Sequence, residues 1–498
     1  MKKWLLLISL YFYCFLLSGQ TTGINNNWLL GYGSYWGHPW GHTLIDFSNG
    51  TPSFSYDSLE MDIYRTSANI SDTNGNLLFY TNGYYIADVT GDTMQNGNNI
   101  SPTGYYSIFS KGLIAQQACL ILPLPKGNNK YHIFHNTIDN GPSYDRSLNF
   151  YNSIIDMNLN GGKGAVTTKN NILVQDTMIA GSIAACKHAN GRDWWILLMK
   201  ANSNLFYKYL LLPNLLLGPF TQNIGVNRSQ IFGASVFSPD GKKLAVGHSE
   251  YQSVGGLDIF DFNRCTGMLS NDIHITLPQT TSYPGGTAFS PNSRFLYMSN
   301  IKEVYQYDLT TANIAASQLT VAVWDSFYSP SPPFATLFDG MQLAPDGKIY
   351  IQTGNGTLHL HVINYPDSLG AACDLVQHGI QIQKYYGNGI PNHPNYFLGC
   401  DTTLGCCCLT GIEDAIPIVI TARASPNPTN GISTLQFPAQ KNSGALTVYN
   451  LLGKIVFEDY IAPWSQFKKI DINTLPNGIY LCKLKWRSGE ISVKVIKE

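Results

Sequence analysis

The chain has 498 residues, of which 13% are charged and 12% aromatic, and its formal net charge is −1. Average soluble proteins carry roughly 25% charged residues; a chain this poor in charge, with no Lys/Arg cluster, lacks the basic footprint of a nucleic-acid or membrane-surface binder. Its 30 tyrosines, 46 glycines and 25 prolines instead fit a turn-rich, all-β exported protein.

The first 20 residues, MKKWLLLISLYFYCFLLSGQ, pass from Lys2 and Lys3 through an uncharged apolar stretch to the small residues Ser18 and Gly19. That order predicts a secretory signal peptide over residues 1–20. The stretch is shorter than the roughly 20 residues a membrane span needs. The most apolar later run, residues 210–219 (LLLPNLLLGP), is broken by Pro213 and Gly218, so no integral membrane segment is expected.

From residue 27 to residue 400 the chain repeats itself. FSPDGKKLAVG (237–247), FSPNSRFLYMS (289–299) and LAPDGKIYIQT (343–353) are each a turn followed by an apolar strand. Proline presets φ early in such a turn, and Gly or Asn at its tip tolerates φ > 0. Weaker copies extend the series. The expected tips are Gly75, Gly127, Gly191, Gly241, Ser293 and Gly347, spaced 52, 64, 50, 52 and 54 residues apart. Repeating units of this length, made of short strands without a 3.6-residue period, describe blades of a β-propeller. Each small sheet there buries both faces against its neighbours, and ring closure leaves only short edges. The region has room for seven blades, the first built from residues 28–33 and 42–48; six blades is the alternative.

Cys400, Cys406, Cys407 and Cys408 crowd a stretch without periodicity, and residues 401–423 read as a linker. Disulfides are the expectation there, because three adjacent cysteines cannot easily converge on one metal ion. Residues 424–498 alternate polar and apolar between Asn-Pro, Leu-Gly-Lys and Pro-Asn-Gly turns, which predicts a small Ig-like β-sandwich.

Three ordered motifs in that last segment carry a resemblance. They are Ser425-Pro426-Asn427-Pro428; Val448-Tyr449-Asn450 with Leu452-Gly453-Lys454; and Leu475-Pro476-Asn477-Gly478-Ile479-Tyr480. The segment resembles the type A sorting domain of type IX secretion substrates. The resemblance implies handling by the type IX secretion machinery and delivery to the medium or the outer-membrane surface. Pro426, Asn427, Pro428, Gly453, Gly478 and Tyr480 would be its sorting-motif residues. Residues 27–400 are similar to a group of exported Bacteroidetes propeller proteins, through Ile70-Ser71-Asp72, Asn76 to Gly83, Met94-Gln95-Asn96-Gly97 and Ala344 to Tyr350. Where such proteins often read W-Y-F-G, this chain has Trp28-Leu29-Leu30-Gly31 followed by GHPWGH (37–42).

GHPWGH supplies the candidate ligand loop: His38, Trp40 and His42. Pro39 and two glycines keep it from being a helical metal motif. His359 and His361 alternate on a strand and share a face, while His132 and His135 do not; neither pair has a visible third ligand. Asp72-Thr73-Asn74-Gly75-Asn76 looks like part of a calcium loop but lacks its distal Glu, and the repeat explains it as a hairpin tip. Neither G-x-S-x-G nor H-E-x-x-H occurs. Asp57, Glu60 and Asp339 are loop acids without a visible partner. The sequence assigns no catalytic residue, cofactor or metal. It leads to the expectation of an exported module that binds a glycan or a surface protein. A polysaccharide hydrolase or lyase, and a part of a surface or gliding assembly, are the alternatives.

Overall fold

The computed structural model describes residues 23–498 apart from 108–109, 141–144, 229, 251–254, 278–284, 330–333, 355, 388, 405, 407–421 and 488. The expected signal peptide, Cys407, Cys408 and most of the expected linker therefore lie outside the described residues. Apart from short 3-10 turns, every regular element among the described residues is a strand, and no helix there is long and apolar enough to cross a membrane.

Residues 27–386 form seven small sheets in chain order. Sheets 1 and 2 (27–57 and 68–88) have three strands each. Sheets 3 and 4 (119–178 and 184–228) have four each. Sheet 5 (230–276) has four plus the short parallel strand Ala180–Gly181, and sheets 6 and 7 (287–323 and 341–386) have four each. The first strands of sheets 1, 2 and 6 are buried along their whole length, as in TAF at Thr287–Phe289, and CLILP at Cys119–Pro123 is buried up to its last residue. Outer strands alternate, as in LVQHGIQIQKYY at Leu375–Tyr386. This is the gradient expected when inner strands are covered on both faces.

Shared cores close the ring. Leu29 and Ile63 meet Tyr80 between sheets 1 and 2. Phe79, Phe134, Phe150 and Trp194 run through sheets 2, 3 and 4. Trp195 and Phe206 meet Leu244 and Phe260 between sheets 4 and 5. Leu257 meets Phe289 and Leu296, and Tyr297 meets Ile349 and Ile363. Trp28 and Phe47 of sheet 1 then pack edge-to-face on Tyr350 of sheet 7. Every sheet is thus packed on two neighbours, the β-propeller solution to exposed edges.

The hairpin tips share one face of the ring. Gly75, Gly191, Gly241, Ser293 and Gly347 have positive φ there, as expected. The exception is the tip at 124–130, where Lys126 and Asn129 rather than Gly127 take the left-handed conformation.

Residues 389–400 run down the axis. They start beside Ile63 on the face opposite the tips and end beside Gly191 and Gly241 on the tip face. Asn392 N–H donates to Ser67 O, and its side chain donates to Cys119 O and Ile183 O (3.2 and 3.0 Å). His393 Nε2 donates to Asn69 O, Gln342 donates to His393 O, and Tyr396 donates to Ile121 O. The segment lies between the inner strands of sheets 7 and 2, bonded to Gln342 on one side and to Ser67 and Asn69 on the other. Cys265, on a turn of sheet 5, is disulfide-bonded to Cys406, and Cys400 is also in a disulfide.

Residues 423–497 form two packed sheets of three and four strands around Leu446, Val448, Tyr480, Cys482 and Leu484. The motif residues hold this sandwich together. The Asn427 side chain bridges Lys494 O and Ile496 N. Gly453 takes φ 76° in the turn closed by Asn450, and buried Tyr480 donates to Pro476 O. The sandwich sits on the tip face: Tyr460 OH donates to Asp367, Gln466 N–H to Pro345 O, and Trp464 packs beside Cys186 and Leu398.

Candidate functional site

The axis itself offers little room. The cavity left beside residues 392–397 is about 90 Å³, lined by Gln117, Thr287, Gln342 and His393 and capped by Trp464 and Gln466. Ligand pockets for small molecules run to roughly 300 Å³ or more. The cavity is small for a sugar chain, and the loop with exposed Tyr35 and Trp36 lies on the face away from the sandwich.

An exposed aromatic group on that face is built by the loop joining Asn27–Gly31 to His42–Asp46. Its neck is narrow: a Cβ on Gly31, at φ 125°, would come within 2.3 Å of Gly41 O, so only glycine lets the two ends of the loop cross. Asp62 pins the loop. It accepts the Gly33 N–H through Oδ1 (2.9 Å) and the Tyr35 hydroxyl through Oδ2 (2.6 Å). Tyr32 stacks edge-on to Trp40 at 5.2 Å, and Trp40 to Tyr385 of sheet 7 at 5.3 Å. Tyr35 and Trp36 lie outermost, 58% and 61% exposed. The Lys111 ammonium sits 5.6 Å from the Tyr32 ring and 5.7 Å from the rings of Trp36 and Trp40, a cation–π contact with three rings. Lys384 donates to Trp40 O. Burial raises the Tyr32 phenol and, more weakly, Tyr35, where the Asp62 hydrogen bond adds to the effect. Both phenols are neutral at physiological pH.

The structure separates the three residues of the candidate ligand loop. Trp40 joins the aromatic cluster. His38 is exposed beside it, whereas His42 is fully buried on its strand, with burial pushing its pKa down to about 4. His361 and His135 are likewise buried and pushed down to about 4 and about 3. His361 Nδ1 accepts from His378 N–H, and His135 bonds Ser101 and Ser153. His359 bonds Ser329. The Asp72 carboxylate accepts from Asn74 N, Asn76 N and the Asn76 side chain, as a hairpin tip does. Asp339 accepts from Gln116. Asp62, Lys111 and Tyr385 were invisible as site residues in the sequence, because each is ordinary in its own segment. The doublet Tyr35-Trp36, just before GHPWGH, was the available signal.

No curated protein matches the chain in sequence. Among solved structures it is similar to a protein of Bacteroides uniformis assigned only provisionally as a 6-phosphogluconolactonase, at 12% identity and TM-score 0.43, over 72% of this chain and 98% of that one. It is also similar to the Dos1 propeller, at 13% identity and TM-score 0.37 over 67% and 90%. A third is a quinonprotein alcohol dehydrogenase-like protein of Bacteroides thetaiotaomicron, at 12% identity and TM-score 0.37 over 76% and 78%. These likenesses carry no argument about activity. Residues 424–498, in contrast, match the secretion system C-terminal sorting domain; the chain carries a type IX secretion sorting domain and is secreted or attached to the cell surface.

Proposed function

We propose that the propeller is a binding module that captures a glycan on the aromatic face opposite its sorting domain. The observation that carries this reading is the Tyr32–Tyr35–Trp36–Trp40–Lys111 cluster. Its two outermost rings are more than half exposed, and their loop is fixed by Asp62. Flat rings with polar groups at their edges suit the apolar faces and hydroxyl rims of sugars. Holding them rigid before contact lowers the ordering cost of binding.

The test is a glycan array and polysaccharide pull-down with the full-length protein, with product analysis of whatever is retained. Trp36→Ala should weaken capture at least about tenfold, the scale of a central aromatic contact. Full retention by that variant, or capture of a protein partner with no glycan, would overturn the proposal. New reducing ends or unsaturated products would replace it with the hydrolase or lyase reading.

A further inference from the structure

Sheet 5 gathers three side chains that no sequence motif joins. His248 lies on Lys243–Glu250, Asp258 on Gly256–Asn263 and His274 on Met268–Thr276. Asp258 faces His274 directly across the ladder, and His248 pairs with Gly256, on the same side of the sheet as Asp258. One nitrogen of each histidine and a carboxylate oxygen all lie within 4.8 Å of one another. His274 Nδ1 is 2.7 Å from Asp258 Oδ1, and His248 Nε2 is 3.5 Å from Oδ2. The imidazoles stack with centres 5.6 Å apart. Gly256 makes the space for them: a Cβ there would meet the His248 ring at 2.4 Å and the His274 ring at 3.0 Å.

We infer that His248, Asp258 and His274 form a binding site for a divalent ion of the zinc type. Two imidazoles and a carboxylate are a donor set that zinc favours, with the fourth position left open. A tetrahedral ion at about 2.1 Å from each donor needs them about 3.4 Å apart, so assembly takes movements of about an ångström. His248 and Asp258 have side chains 4% and 3% exposed, while that of His274 is 34% exposed. The cluster is therefore enclosed, with its opening past His274.

The surroundings supply the supports such a site needs. Arg228, at the end of the last strand of sheet 4, donates through Nε to Asp258 Oδ2 and fixes the carboxylate with Oδ1 toward His274. Its guanidinium lies over Phe206 and Phe260, at 5.3 and 5.4 Å. Thr276 Oγ1 is 3.3 Å from His274 Nε2. In the neutral ring Nδ1–H donates to Asp258 and Nε2 accepts from Thr276. When the ion takes Nδ1, the proton moves to Nε2 and Thr276 Oγ1 accepts it. Arg228 already balances the Asp258 charge, so the histidines are not needed for neutrality. The same positive charge lowers affinity, and binding is expected to be weaker than in a structural zinc site.

The test uses the full-length protein freed of metal by a chelator and titrated with Zn²⁺. One ion per chain should bind, with a thermal midpoint raised by about 3 °C at a hundredfold excess over Kd. His274→Gln, at the half-exposed position, should abolish both. His378→Gln, which breaks the separate pair His378–Asp325, should leave both intact. A second readout needs no variant: Zn²⁺ should protect His274, but not exposed His38, from carbethoxylation. No uptake by the wild type, equal uptake by His274→Gln, or equal modification of His274 with and without Zn²⁺ would overturn the inference.

Discussion

Replacing Asn392 by alanine removes the two side-chain hydrogen bonds by which the axial segment ties sheet 3 to sheet 4. The carboxamide donates to Cys119 O and Ile183 O, both on residues with no exposed surface. A buried acceptor that loses a partner costs about 1–3 kcal/mol. Cys119 also belongs to a strand ladder, so the combined loss is placed at about 2–4 kcal/mol. Unfolding entropy of about 2.1 cal/mol/K per residue gives roughly 0.8 kcal/mol/K for a ring of this size, so the thermal midpoint should fall by about 3–5 °C. Asn395→Ala removes one part-buried bond to another sheet, to Pro239 O, and a local one in which Asn395 Oδ1 accepts the Phe397 N–H, and should lower it by only about 1–2 °C. Differential scanning fluorimetry of the three proteins reads both numbers. If Asn392→Ala melts with the wild type, or no lower than Asn395→Ala, the segment is a passenger in the channel and not the closing element of the ring.

Two further outcomes follow from groups already placed. His42, His361 and His393, held down at about 4 by burial, and His135, at about 3, have folded pKa values below the roughly 6.5 of an unfolded histidine. The unfolded chain then binds more protons between about pH 6.5 and pH 4, and stability falls as pH drops through that window; a thermal midpoint that holds or rises from pH 7 to 4.5 refutes this. Carboxylates held low, such as Asp308 beside Arg294, act only below that range. The Cys265–Cys406 bond closes a loop of 141 residues, so Cys265→Ser should destabilise by up to about 5 kcal/mol in the chain-entropy picture, and a midpoint equal to that of the oxidised wild type would count against the bond.

The repeat was legible because hairpin chemistry is local. Pro-Asp-Gly or Pro-Asn-Ser before an apolar strand announces a turn wherever it occurs, and five of the six expected tips adopt positive φ at the expected residue. At the tip at 124–130, Lys126 and Asn129 take the conformation and Gly127 does not. The axial segment was not legible. Gly389 to Gly399 has no period and several polar residues, and reads as loop; it is ordered because Asn392, His393 and Tyr396 find carbonyls belonging to other sheets. His42 shows the reverse limit. It is two residues from Trp40 in the sequence, but it already belongs to a strand whose first two residues, His42 and Thr43, are both fully buried. The His248–Asp258–His274 group is a cross-strand constellation, and register, which pairs Asp258 with His274, cannot be read from spacing within any one segment.

The placement of the sandwich leads to a prediction that separates export from binding. Trp464 stands at the tip of the loop that caps the axial cavity, in a left-handed conformation (φ 62°) unusual for a tryptophan, and packs against the core shared by sheets 4 and 5. Trp464→Ala deletes most of that wedge while leaving the Tyr460–Asp367 contact and the Gln466 backbone bond in place. The seat should loosen without the sandwich unfolding, because the core around Leu446 and Val448 does not include Trp464. Hydrogen exchange should therefore quicken in residues 462–466 and along the lining of the axial cavity, and remain unchanged in the strands of the sandwich. The aromatic loop lies at the other end of the sheets, so any glycan captured by the wild type should be captured equally by this variant. If Trp464→Ala weakens capture as much as Trp36→Ala does, the two faces are not independent, and the ligand must be read by a surface that includes the sorting domain.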